Sequence, residues 1–242
     1  MSKLIAIWGP PNVGKTTVAV KLGKILCDYE DSTVFTVLAD NTTPALPVLF
    51  PSKKSDDMYS IGEILSKVDI ATKDIEANTV TVKSHKNYGF LGYKDAENRF
   101  TYAYADESKC EFFLNLLKSM CDYVIVDCTS VPNTLSKVAM ANADKVVRVV
   151  SPELKSISFL SAQLPIMAEP LYQCDHHLMV LNEPQSDVFL PSDDLHSHYG
   201  KPFLKLHYCR EIQVQYANGE LLDKIRHKKY NEQLKAVAAE LI

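Results

Sequence analysis

Residues 9–16 read Gly9-Pro10-Pro11-Asn12-Val13-Gly14-Lys15-Thr16, a G-x-x-x-x-G-K-T run directly after the apolar segment Leu4-Ile5-Ala6-Ile7-Trp8. Glycines at this spacing let the backbone fold into a nest whose N–H groups converge on a phosphate. Lys15 can reach the terminal phosphate oxygens, and the Thr16 hydroxyl can ligate Mg²⁺. Thr17 to Leu26 follow with helical spacing, so the positive end of a helix would face the same phosphates. Gly9 to Thr17 are therefore the candidate phosphate-binding residues.

Two carboxylates could complete the chemistry. Val124-Ile125-Val126-Asp127 is an apolar strand ending in an acid. In a parallel sheet, ligands collect at the C-terminal ends of strands, where a phosphate loop needs a carboxylate near its Mg²⁺ shell. Asp40 ends another apolar run, Val34 to Ala39, and has two readings. It could orient attacking or Mg²⁺-bound water, or it could cap the turn-prone Asp40-Asn41-Thr42.

The elements that must position these residues alternate between strand-like and helical patterns, which predicts an α/β fold: one doubly wound domain with a mostly parallel sheet of about seven to eight strands flanked by helices. Strands are expected at 4–8, 33–39, 79–83, 88–93, 123–127, 145–150, 177–181 and 203–206. Helices are expected at 16–28, 61–67, 107–120, 133–142, 155–167, 192–198, 212–218 and 231–242, with a loop at Lys53–Asp57. No Gly/Ser-rich linker or repeat divides the 242 residues, so residues 1–242 read as a single domain.

Composition narrows the function classes. A hydrophobic content of 46% suffices for one large core, and a net charge of −4 gives no global attraction to nucleic acid or anionic lipid. The apolar run before Gly9 is too short for a signal peptide or a membrane span. Six scattered cysteines without a C-x-x-C pair argue against a disulfide framework, and a reducing cytoplasm is the expected compartment. A GTPase would carry D-x-x-G and N-K-x-D. Here the corresponding segments are Asp127-Cys128-Thr129-Ser130 and Asn182-Glu183-Pro184-Gln185. Small-molecule kinases add an Arg-rich lid, whereas Arg99, Arg148, Arg210 and Arg226 are widely separated.

With these motifs in order, the chain resembles the MinD/ParA-like P-loop ATPases (SIMIBI class) nearly end to end. The matching pieces are the loop, the strand ending at Asp40, Cys121 to Asp127, Ala143 to Glu153, Leu178 to Asn182, and the tail from Leu206 to Leu222. The resemblance implies ATP or ADP with Mg²⁺ as cofactors. It also implies that Thr16, Asp40 and Asp127 surround the metal, that Lys15, Asp40 and Asp127 carry the catalysis, and that Asn182 hydrogen-bonds adenine; a strand-end turn is the other reading of Asn182. A homodimer around two ATP molecules is implied, with nucleotide state selecting a protein partner of a localisation or assembly system. The protein would be recruited through that partner to a membrane- or pole-associated complex.

The loop departs from the family pattern. Its signature lysine, which reaches across the dimer to the partner's phosphate, is replaced by Pro10, and the next two glycines by Pro11 and Asn12. Trans-acting cations in phosphoryl transfer can be worth about 10³ or more in rate. Slow hydrolysis, or a nucleotide-dependent scaffold that does not hydrolyse, is therefore expected, and the altered loop resembles the TadZ/CpaE-like pilus-localisation branch. A ParA-like partition ATPase is the other alternative. It would use Lys224, Arg226, Lys228 and Lys229 on DNA, although a run of this kind also reads as a solvated face.

Remaining features read plainly. Asn231 to Ile242 is amphipathic but carries two Glu and one Lys, which fits a closing helix better than direct membrane insertion. The aromatics Tyr88, Phe90, Tyr93, Phe100, Tyr102 and Tyr104 read as packing residues, Trp8 as packing under the loop, Cys128 as a buried inert thiol, and His176-His177 as no metal site.

Overall fold

Leu4, Ala6 and Trp8 project from one face of the first strand and Ile5 and Ile7 from the other, and all five are buried. A strand apolar on both faces must sit between two layers, which is the requirement of a parallel sheet covered by helices. The computed structural model describes residues 2–54, 57–82, 85–185, 190–200 and 203–242. Strands β1 (Lys3–Trp8), β2 (Val34–Leu38), β3 (Val80–Val82), β4 (His85–Gly92), β5 (Tyr123–Asp127), β6 (Lys145–Val150), β7 (Leu178–Asn182) and β8 (Leu204–Leu206) form one sheet, ordered β3-β4-β2-β5-β1-β6-β7-β8. All neighbours are parallel except β3 and β4.

The helices are α1 (Lys15–Glu30), α2 (Leu46–Leu49), α3 (Ile61–Leu65), α4 (Thr72–Asn78), α5 (Glu107–Met120), α6 (Thr134–Asn142), α7 (Leu154–Gln163), α8 (Ser192–Tyr199), α9 (Arg210–Asn218) and α10 (Lys228–Ala239). One layer draws its core from α1, α2, α9 and α10, the other from α3 to α8. After β1 the chain passes β5 to reach β2, and after β5 it passes β1 to reach β6. The windings diverge at β1, and a crevice opens above its C-terminal end, where ligands of such sheets bind.

The expected strands and helices are present with ends shifted by a few residues, and the differences have local causes. Two helices were not anticipated, α2 and α4. Both are short, and α4 is held by the Asp74 carboxylate accepting from the Ala71 amide at 2.9 Å rather than by a long apolar stripe. Helix α7 ends at Gln163 instead of Met167 because Pro165 supplies no amide to extend the ladder. Phe100 and Tyr104 are largely exposed, unlike the buried Tyr88, Phe90 and Tyr93. The expected strand end at Lys83 and the loop residues Ser55 and Asp56 lie outside the described residues. Among the described residues no helix is long and apolar enough to cross a membrane, and Leu234, Val237, Ala238 and Leu241 bury α10 against the domain.

Lys21 on α1 is completely buried, its Nζ donating to Gln215 Oε1 at 2.5 Å and to the Asp223 carbonyl at 3.1 Å. Helix α1 is thereby tied to α9 and to the segment that follows it. Burial lowers the Lys21 pKa to about 8, with Lys24 adding repulsion. Between pH 8 and the ordinary lysine value of 10.5, the unfolded chain binds the extra proton, so stability rises with pH. Relative to Lys21→Met, the wild type should gain about 3 kcal/mol across that window in paired urea unfolding curves. A gap that does not move with pH would mean that the ammonium is solvated.

Candidate functional site

The loop after β1 is shaped by two close approaches. A Cβ on Gly9, at φ +154°, would stand 2.0 Å from the Val149 carbonyl oxygen, so only glycine lets β1 turn here beside β6. Gly14 has φ +87°, and a Cβ there would meet Asn182 Nδ2 at 2.6 Å. Asn12 also has positive φ, 62°, a conformation that asparagine tolerates better than most residues. Helix α1 starts at Lys15 with no side-chain cap and no acid in its first turn, which leaves its leading N–H groups free for an anion.

Side chains converge on this nest from three strand ends. Lys15 Nζ donates to the Pro10 carbonyl at 2.9 Å and to Ser130 Oγ at 2.6 Å. Thr16 Oγ1 donates to Asp127 Oδ2 at 2.6 Å, while Asp127 Oδ1 is buried with no hydrogen-bond partner among the described residues. Burial raises the Asp127 pKa to about 6 against the opposing pull of the Thr16 hydroxyl and Lys15, and Asp40 adds repulsion. Burial likewise lowers the Lys15 pKa, which Asp127 and Asp40 partly offset. Asp40 Oδ1 accepts from the Thr42 and Thr43 amides at 2.7 and 3.0 Å, so it caps its turn while facing the same cavity. Asn182 Nδ2 donates to the Val13 carbonyl at 2.9 Å and braces the loop from β7.

These groups line a cavity of about 720 Å³, within the size range of small-molecule sites. Residues 11–17 form one wall, with Asp40, Asp127 and Ser130 at one end. Gly9 and Pro10 are buried outside that lining and shape the loop instead. The other end is made by Asn182, Glu183, Gln185, His207, Tyr208 and Gln213. His207 Nδ1 meets Glu183 Oε2 at 2.5 Å, and the Tyr208 hydroxyl donates to Gln213 Oε1 at 2.8 Å. Apart from Asn182, sequence reasoning singled out none of that second group, nor Ser130. The available signal was position: Ser130 follows the C-terminal end of β5, and Glu183, Gln185, His207 and Tyr208 follow those of β7 and β8, where the parallel-sheet rule places ligand contacts, whereas Gln213 lies on α9.

Other candidates separate from the site. Trp8 is fully buried, its Nε1 donating to the Ser130 carbonyl at 3.0 Å. Cys128 is buried, and burial raises its pKa. His177 is buried beside Arg148, and no cluster of three or more His, Cys, Asp or Glu that could hold a metal exists among the described residues. Lys224 and Arg226 line a separate hollow together with Arg210, Glu211, Glu220 and Asp223, while Lys228 and Lys229 are exposed at the start of α10.

A family model described as an AAA domain matches residues 3–172. The chain belongs to this family. Its fold is that of the MinD/ParA-like P-loop ATPases, as three solved structures show. A ParA family ATPase from Chlorobium tepidum TLS is 14% identical with a TM-score of 0.81, over 100% of this chain and 99% of that one. The cell division ATPase MinD of Pyrococcus furiosus is 19% identical with a TM-score of 0.74, over 99% and 98%. The septum site-determining protein MinD from Pyrococcus horikoshii OT3, solved with Mg-ADP, is 18% identical with a TM-score of 0.74, over 99% and 96%. No curated protein sequence matches the chain.

The orphaned Asp127 oxygen costs stability, as a buried carboxylate with half its acceptors unused must. Asp127→Asn should leave the fold at least as stable at pH 8, by 0 to about 2 kcal/mol in denaturant unfolding. The same variant should lose at least about tenfold in Mg²⁺-dependent nucleotide affinity by calorimetry. Unchanged affinity would remove Asp127 from the site.

Proposed function

We propose that the protein binds Mg²⁺–ATP in this cavity and uses the bound nucleotide as a switch, self-associating and engaging a protein partner of a positioning or assembly system. The observation that carries this reading is the hydrogen bond from Thr16 to the buried Asp127, with its unpartnered Asp127 oxygen beside the uncapped start of α1. A hydroxyl and a carboxylate are the hard oxygen donors that suit Mg²⁺, so Thr16 and Asp127 would hold it, with Asp40 in the surrounding shell. Mg²⁺ would supply charge neutralisation on the phosphate oxygens.

The chain's own residues do the rest. The amides of residues 12–16 point at phosphate oxygens, and Lys15 exchanges its bonds to Pro10 and Ser130 for bonds to the nucleotide. Asn182 keeps its amide on Val13 and offers its side-chain carbonyl to an adenine amino group, deep in the end of the cavity made by β7 and β8. Asp40, fixed by its own turn, orients water at the phosphate end.

Pro10 has no cation to reach a partner's phosphate, so turnover is slow. A scaffold that never hydrolyses is the limiting form of the same switch, and the TadZ/CpaE-like assignment rests on this departure and on the compactly packed α10. DNA partition is the weaker reading, because three acids share the hollow of Arg210, Lys224 and Arg226 and balance its charge.

ATP binding, phosphate release and size-exclusion mass should be recorded on the same sample, for the wild type and Lys15→Ala. The expected result is wild-type binding with a doubled mass in Mg²⁺–ATP and phosphate release about 10³ below a cation-assisted rate, with all three lost in the variant. Nucleotide binding that survives Lys15→Ala undiminished, or no binding by the wild type, would overturn the proposal.

A further inference from the structure

The fourth residue of β6 is Arg148, on the face where its neighbours Val146 and Val150 enter the apolar core. It is only 4% exposed. A guanidinium stays charged at any physiological pH, and a buried charge costs several kcal/mol unless it is compensated. Every contact on Arg148 is neutral. Nη2 donates to the Cys174 carbonyl at 3.2 Å and to His177 Nδ1 at 2.9 Å, and the Trp8 ring lies 5.8 Å from the guanidinium carbon. His177 accepts at Nδ1 because its Nε2–H donates to the Tyr172 carbonyl at 2.8 Å, which fixes the neutral tautomer. Nε is buried with no partner. Asp175 lies near enough for its charge to act on Arg148, but no carboxylate among the described side chains forms an ion pair with it.

Arg148 lines a crevice of about 60 Å³ between α7 and α8, separate from the nucleotide cavity. At about 10–15 Å³ of such volume per water, it admits about four to six water-sized groups. Its walls are the side chains of Ile157, Leu160, Leu164 and Met179, with the exposed Ser161 and His198 at its mouth. Tyr199 also borders it, but its hydroxyl is already committed to the Ser151 carbonyl at 2.5 Å. One buried cation with no carboxylate hydrogen-bonded to it, apolar walls and an opening to solvent match a ligand with one negative end and a small apolar end. The four non-hydrogen atoms of acetate fill that space.

We propose that this crevice is a binding site for a small monocarboxylate, held by Arg148, with its alkyl end against Leu160 and Met179. Phosphate is too polar for its apolar walls, and a nucleotide is too large for it. The site is independent of the nucleotide reading and stands or falls without it.

The test uses the full chain without nucleotide, with sodium acetate replacing sodium chloride at constant ionic strength and pH. The expected result is a saturable rise of the thermal midpoint at millimolar acetate, together with saturation transfer from the protein to the acetate methyl. Arg148→Met should weaken both effects by at least about tenfold. Leu164→Phe, which fills the crevice and keeps the cation, should do the same, and it covers the case in which Arg148→Met fails to fold. No saturation transfer to acetate on the wild type, stabilisation by chloride equal to that by acetate, or an undiminished acetate effect in Leu164→Phe would each overturn the proposal.

Discussion

A half-buried ammonium and a buried carboxylate share the C-terminal edge of the sheet without forming an ion pair. Lys15 is held by a backbone carbonyl and a hydroxyl, and Asp127 by a single hydroxyl. Each charge feels the other through a poorly screened interior, as the opposing effects on their pKa values show, yet neither neutralises the other by contact. Removing charges from water without pairing them opposes folding, so the rest of the architecture must hold them there. It does so with a sheet apolar on both faces, whose central strands β1 and β5 are locked in register and end together at this point.

The same constraint explains the backbone around it. The loop clears Val149 and Asn182 only because Gly9 and Gly14 lack side chains, and Asn182 then braces the loop through Val13. Ser130 is tied twice to the loop region, by its hydroxyl to Lys15 and by its carbonyl to Trp8. The segment after β5 is thereby coupled to the loop, and any anion drawing Lys15 away would break the contact with the Ser130 hydroxyl. Such a coupling is the physical element a nucleotide switch requires: two arrangements whose balance a ligand can bias.

The strands that cover both faces of the core were legible because runs such as Val124 to Val126 leave no polar residue to expose, and the long amphipathic α5 was legible to the residue. Helix α4 was hidden because a single buried aliphatic, Ile75, anchors it, too little for a periodic signal. In the site, Lys15, Thr16 and Asp127 were readable because a local motif and a strand end announce them. Ser130, Glu183 and His207 were not, since a place after a strand end carries no motif to single it out, nor was Gln213 on α9, and only the order of the strands brings them to one cavity. Pro10 was readable as a departure, and the structure adds that its carbonyl is one of the two groups holding Lys15.

The chain contains one tryptophan, Trp8, hydrogen-bonded to the residue that holds Lys15, so its emission reports directly on this knot. The most direct measurement is Trp8 fluorescence during titration with Mg²⁺–ATP, alongside equilibrium dialysis of the nucleotide, for the wild type and Ser130→Ala. The account predicts a saturable spectral change in the wild type that follows nucleotide occupancy, and a reduced change in Ser130→Ala at comparable occupancy. Nucleotide bound with Trp8 unmoved, or an identical change in both proteins, would contradict it.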